Sequence, residues 1–106
     1  MDPIVNVGGD GKVTSVFVNG ILMNPSDYMH AGAQLIGCCS KQVTERVMTT
    51  LYKDDVMYAK FLAILTAEKF HDDNQWTMDD NNDDIRQNNW DREVTALLSR
   101  FGISLQ

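Results

Sequence analysis

A chain of 106 residues is long enough for one cooperative core and too short for two, and its ordinary shares of hydrophobic (43%) and charged (23%) residues exclude wholesale disorder. The formal charge of −6 is unevenly placed: residues 71–91, HDDNQWTMDDNNDDIRQNNWD, hold seven of the fifteen acids and one of the nine bases, leaving eight of each elsewhere. So local an excess of carboxylate repels nucleic acid and membrane phosphate and attracts basic protein surfaces or cations.

The first two dozen residues have the composition of strands. PIVNV is short and β-rich, GGDGK is turn chemistry, VTSVFV is β-branched and aromatic, and Asn19-Gly20 suits a two-residue type I′ hairpin before ILM. The reading is an antiparallel meander at about 4–7, 13–18 and 21–23, whose three short strands need a cover on one face.

Four helices are expected to follow, at about 25–38, 41–53, 55–70 and 84–101, giving an α+β fold in a single domain, 1–106. Asn24 is placed to cap the first, Pro25 occupies its first position, and Asp27 complements its dipole. Gly32 and Gly37 weaken that helix or mark close packing. Ser40 is placed to cap the second, where Val43, Val47 and Leu51 recur at four-residue steps and Met48 is spaced to pair with Tyr52. The third, opened by Asp54 or Asp55, is apolar on nearly every side, the pattern of a central core helix. Trp90, Val94, Leu97, Leu98 and Phe101 form the stripe of the fourth, and Gly102 with Ile103 suits a Schellman ending.

The acidic stretch joins the last two helices, and three readings compete for it. Asp and Asn favour turns and helix starts, which accounts for Asp83 or Asp84 but not for the whole cluster, because neighbouring like charges repel. Asp80, Asn82, Asp84 and Asp91 fall at positions 1, 3, 5 and 12 of a calcium-loop frame, but its sixth position is Ile85 where glycine is required. In the third reading a row of carboxylates, Asp72, Asp73, Asp79, Asp80, Asp83 and Asp84, meets a basic surface on another protein with Trp76 as an exposed anchor. Trp90, by contrast, belongs to the core stripe. A basic protein surface is commonly one that binds nucleic acid, so the carboxylates would stand in for phosphates.

Catalytic chemistry finds little support. Cys38 and Cys39 are adjacent, too close for an ordinary disulfide, and read as free thiols packed near a helix end. His30 stands two turns from Cys38 on the same helix, out of hydrogen-bond reach, and His71 with Asp72 and Asp73 lacks a second histidine or cysteine at metal-ligand spacing. Gly8, Gly9 and Gly11 lie between two strands instead of before a helix, which makes a hairpin turn and not a phosphate cradle. The nine basic residues are scattered singly, so direct nucleic-acid binding is not expected. Met48 and Met57 read as core and Met29 as exposed.

No stretch reaches the roughly 18 apolar residues of a membrane span, and MDPIVNVGG lacks both the basic region and the apolar run of a signal peptide. The expectation is a cytoplasmic, non-enzymatic protein with no cofactor and no membrane partner. It would act as an inhibitor or immunity-type factor that blocks a basic, nucleic-acid-processing or toxic protein. The alternative is a structural or assembly subunit, for example of a viral particle, that forms homo-oligomers through its meander.

Overall fold

A computed structural model of the chain describes residues 3–71 and 83–103, with side chains described over 3–68 and 87–103. Three strands, β1 (Ile4–Val7), β2 (Val13–Val18) and β3 (Ile21–Met23), precede four helices, α1 (Pro25–Gly37), α2 (Lys41–Leu51), α3 (Asp55–His71) and α4 (Asp83–Arg100). The fold is α+β, with element limits within two residues of those the sequence predicts.

Local chemistry explains most of these limits. The β1–β2 turn closes through bonds from the Gly8 amide to the Lys12 carbonyl (2.8 Å) and the Lys12 amide to Asp10 Oδ1 (3.0 Å). The β2–β3 turn has positive φ at both Asn19 (53°) and Gly20 (80°), the requirement of a type I′ turn. At the start of α1 the Asp27 carboxylate accepts the Asn24 amide at 2.8 Å, and at the start of α3 Asp54 Oδ1 accepts the amides of Val56 and Met57, both at 3.1 Å. At the end of α4 the Ile103 amide reaches the Leu98 carbonyl and the Gly102 amide the Ser99 carbonyl, each at 3.0 Å, with Gly102 at φ 77°, a Schellman ending.

The sheet has order β1-β2-β3 and is antiparallel throughout, with an irregularity between Asn6 and Val7. Val16, Val18 and Met23 are buried on its inner side. Helices α1 and α3 form the next layer, with β2 against α3, and α2 and α4 lie beyond them. Helix α3 thus touches β2, α1, α2 and α4, which is why it is apolar all round: from Tyr58 to Ala67 only Lys60 is not buried.

The approach of α1 to α3 depends on one glycine. A Cβ at Gly32 would stand 2.8 and 2.9 Å from Leu62 Cδ2 and Cβ, so glycine is required there by space. Gly37, the other helical glycine, has nothing within 4 Å of the same position. Two expected core placements are corrected. Met48 is 39% exposed, because the buried stripe of α2 is Val43, Val47 and Leu51 and Met48 falls outside it. It does not share a core position with Tyr52, which is 62% exposed and meets Tyr58 edge-on with ring centroids 5.6 Å apart. Met57 is half-buried at the margin of the core, and Met29 is exposed as expected.

Gly32→Ala should destabilise the fold by up to about 2 kcal/mol in urea denaturation, since overpacking costs ~1–3 kcal/mol and the gain in helix propensity returns ~1. Gly37→Ala in the same measurement should be neutral or mildly stabilising, because no neighbour stands in the way.

Candidate functional site

Asp83 and Asp84, at the C-terminal end of the acidic stretch, open α4, where carboxylates complement the positive end of the helix dipole. The other proposed contact residues, Asp72, Asp73, Trp76, Asp79 and Asp80, lie outside the described residues, as does Asn82 of the calcium frame. The two remaining members of that frame, Asp84 and Asp91, sit in one continuous helix, with about 10 Å of axial rise between them.

Asp91 has a structural task that its sequence neighbourhood does not announce. Ser40 caps α2 by accepting the Val43 amide on its hydroxyl (3.4 Å), but its own amide needs an acceptor. A Glu or Gln at the third helical position would supply one; in α2 that position is Val43. Asp91 of α4 supplies it instead, its Oδ1 accepting the Ser40 amide at 2.7 Å. The same carboxylate stands near the Cys39 thiol, and burial together with the Asp91 charge pushes that thiol up to about 12. Cys39 is a buried, protonated thiol beside a carboxylate, the opposite of an activated nucleophile. Of the seven acids in the stretch, therefore, Asp91 is committed to joining α4 to the α1–α2 turn.

Trp90, beside it, is buried with Val94, Leu97 and Leu98, which places the stripe of α4 against the core. Arg100 bonds Glu68 at 2.8 Å across α4 and α3, an exposed pair of small energetic weight.

Two surface features have no counterpart in the sequence reading. On the outer face of the sheet, the register sets Ile4 opposite Phe17 and Phe17 opposite Leu22, so three apolar side chains, 58%, 38% and 61% exposed, cross all three strands in one row. The second is a cleft of about 170 Å³ at the shared end of two helices and a strand, lined by Val13, Pro25, Tyr28, Met29, Asp55, Tyr58 and Ala59. Its residues come from β2, α1 and α3, elements separated in the chain, and the sequence carries no signal for their meeting.

Among the described residues no three His, Cys, Asp or Glu side chains are grouped to hold a metal ion, and no helix is long and apolar enough to cross a membrane.

Asp91→Ala should cost about 1–2 kcal/mol of stability, the usual loss of a helix-cap acceptor, and Asp91→Asn less because an oxygen acceptor remains. The raised Cys39 pKa gives a signed pH dependence. The folded state holds the thiol proton above pH 9.0, where the unfolded chain releases it, so stability falls between there and about pH 12. The slope from this group should approach about 1.4 kcal/mol per pH unit and vanish in Cys39→Ser, as read from urea denaturation across that range. Cys39 in the folded protein should resist iodoacetamide at neutral pH.

No protein-family model, no curated protein and no solved structure matches this chain.

Proposed function

We propose that the protein is a non-enzymatic protein-binding module that occupies a basic surface of another protein, of the kind a nucleic-acid-processing or toxic protein presents, through residues 72–84. The observation that carries this reading is the charge distribution: outside 71–91 acids and bases balance, and within it carboxylates outnumber bases by seven to one. The segment is attached at both ends to helices of the fold, α3 through His71 and α4 through Asp83, and Asp91, which caps α2, lies outside the proposed contact set. Electrostatic complementarity of this sort speeds encounter and selects against acidic competitors. Trp76 would supply the apolar anchor.

A second reading, a structural or assembly subunit, is favoured by a different observation. The Ile4–Phe17–Leu22 row lies on a sheet whose thirteen strand residues include no Asp, Glu, Lys or Arg, so two copies of an acidic protein could meet there without direct charge repulsion. The open edge of β1 likewise lacks the lysines that discourage strand pairing.

Co-purification from the native host separates the two. If the first reading holds, a basic protein is retained by the wild type and lost when Asn replaces Asp72, Asp73, Asp79, Asp80, Asp83 and Asp84, and its capture weakens as salt is raised. Equal recovery by a folded variant would sink it. The second reading expects salt-resistant oligomers in sedimentation, dispersed by Leu22→Lys.

A further inference from the structure

The cleft between α1 and α3 has the chemistry of a site for a cationic side chain. Gly32 of α1 meets Leu62 of α3, and towards the N-terminal ends of the same helices Pro25, Tyr28 and Met29 face a common space with Asp55, Tyr58 and Ala59. The two helices therefore run in the same direction, and the cleft opens where both begin. Helix starts ordinarily favour anions. Here that demand is already met, because the Asp27 carboxylate takes the Asn24 amide and Asp54 takes the amides of Val56 and Met57. Asp55 is left as an exposed carboxylate with no hydrogen bond or ion pair among the described residues, and the lining contains no cation.

The tyrosines supply the second observation. Tyr28 is 1% exposed and Tyr58 7% exposed, and both line the cleft. Neither hydroxyl has a hydrogen-bond partner among the described residues, and neither is fully sealed from solvent, since among those residues no fully buried side-chain polar atom is left without a partner. Two rings are thus almost wholly packed away, and both residues line the cleft. Burial raises both phenols above their ordinary range, so they remain neutral at physiological pH. The site offers three oxygen-bearing groups, Tyr28, Tyr58 and Asp55, and apolar walls at Val13, Pro25, Met29 and Ala59.

We infer that this cleft receives a lysine side chain of the partner protein, its four-carbon stem against the apolar walls and its ammonium among Asp55 and the Tyr28 and Tyr58 hydroxyls. An ammonium has three donors and no acceptor, which matches three oxygen-bearing groups with no competing cation. The volume, about 170 Å³, is below the roughly 300–1,000 Å³ of a metabolite pocket and is of side-chain size. The inference rests on the reading of the partner as basic. It adds a second contact, about 24 Å along α3 from the acidic segment by helix rise.

The test is a titration of the isotope-labelled full chain with Nα-acetyl-lysine amide, followed through backbone amide shifts. Saturable, millimolar binding centred on Tyr28, Met29, Tyr58 and Ala59 is expected. It should weaken about tenfold or more for Nα-acetyl-norleucine amide, which lacks the ammonium, and in Asp55→Asn, by the usual worth of a hydrogen bond to a charged group. Tyr58→Phe should weaken it as well, and thermal melts establish that each variant is folded. Equal shifts from the lysine and norleucine probes, tighter binding of Nα-acetyl-arginine amide, or no saturable shift at the cleft would overturn the assignment. The variant with Asn at the six aspartates of 72–84 keeps the two proposals apart: it should bind the lysine probe at the cleft as the wild type does, even though it loses the partner. Shifts confined to the acidic segment, and lost in that variant, would refute the cleft and leave the acidic-surface reading standing.

Discussion

The structure depends on α3 being buried from every side. Between Tyr58 and Ala67 that helix places Phe61, Leu62, Ala63, Ile64, Leu65 and Ala67 against four different elements, and Thr66 is accommodated only because its hydroxyl bonds the Leu62 carbonyl at 2.8 Å. Each large apolar side chain so enclosed contributes roughly 1.5–3 kcal/mol relative to exposure. No single neighbour could enclose such a helix. The sheet covers one side, α1 another, and α2 with α4 the remainder, so the three-layer arrangement follows from the composition of one segment. The three-stranded sheet, too small to stand alone, gains its stability from the same contact.

Enclosing α3 brings other elements to fixed distances. Gly32 lets α1 approach closely enough to share a core with Leu62, and the same approach brings Tyr28 near Tyr58 and Asp55 at the helix starts. At the other side, α4 buries Trp90 and so carries Asp91 to the start of α2, where the Ser40 amide lacks a local acceptor. The cleft and the cap are both consequences of the packing of helices. Neither belongs to any one of them.

Three surface features differ in character. The acidic segment concentrates charge of a kind that salt screens, the cleft is of side-chain size with one carboxylate in its lining, and the outer sheet face carries an uncharged apolar row. In any complex, net charge governs the rate of encounter, whereas a seated side chain governs how long the complex lasts.

The sequence by itself determined the strands, the helices and their ends, because these follow from interactions within a few residues: Asn19-Gly20 for the hairpin, Asp54 and Ser40 for helix starts, Gly102 for the final turn. It also marked α3 as central and Trp90 as core, since periodicity records how many sides of a helix are covered. It could not say which neighbour covers which side. Met48 reads as core because methionine is an adaptable filler, yet the buried stripe of Val43, Val47 and Leu51 leaves it and Tyr52 outside. Asp91 read as one acid among seven, and only the approach of α4 to a residue fifty-one positions away made it a cap. The cleft was invisible for the same reason. Tyr28 and Tyr58 are unremarkable on their own helices, and they line one cleft only because Gly32 and Leu62 bring those helices side by side.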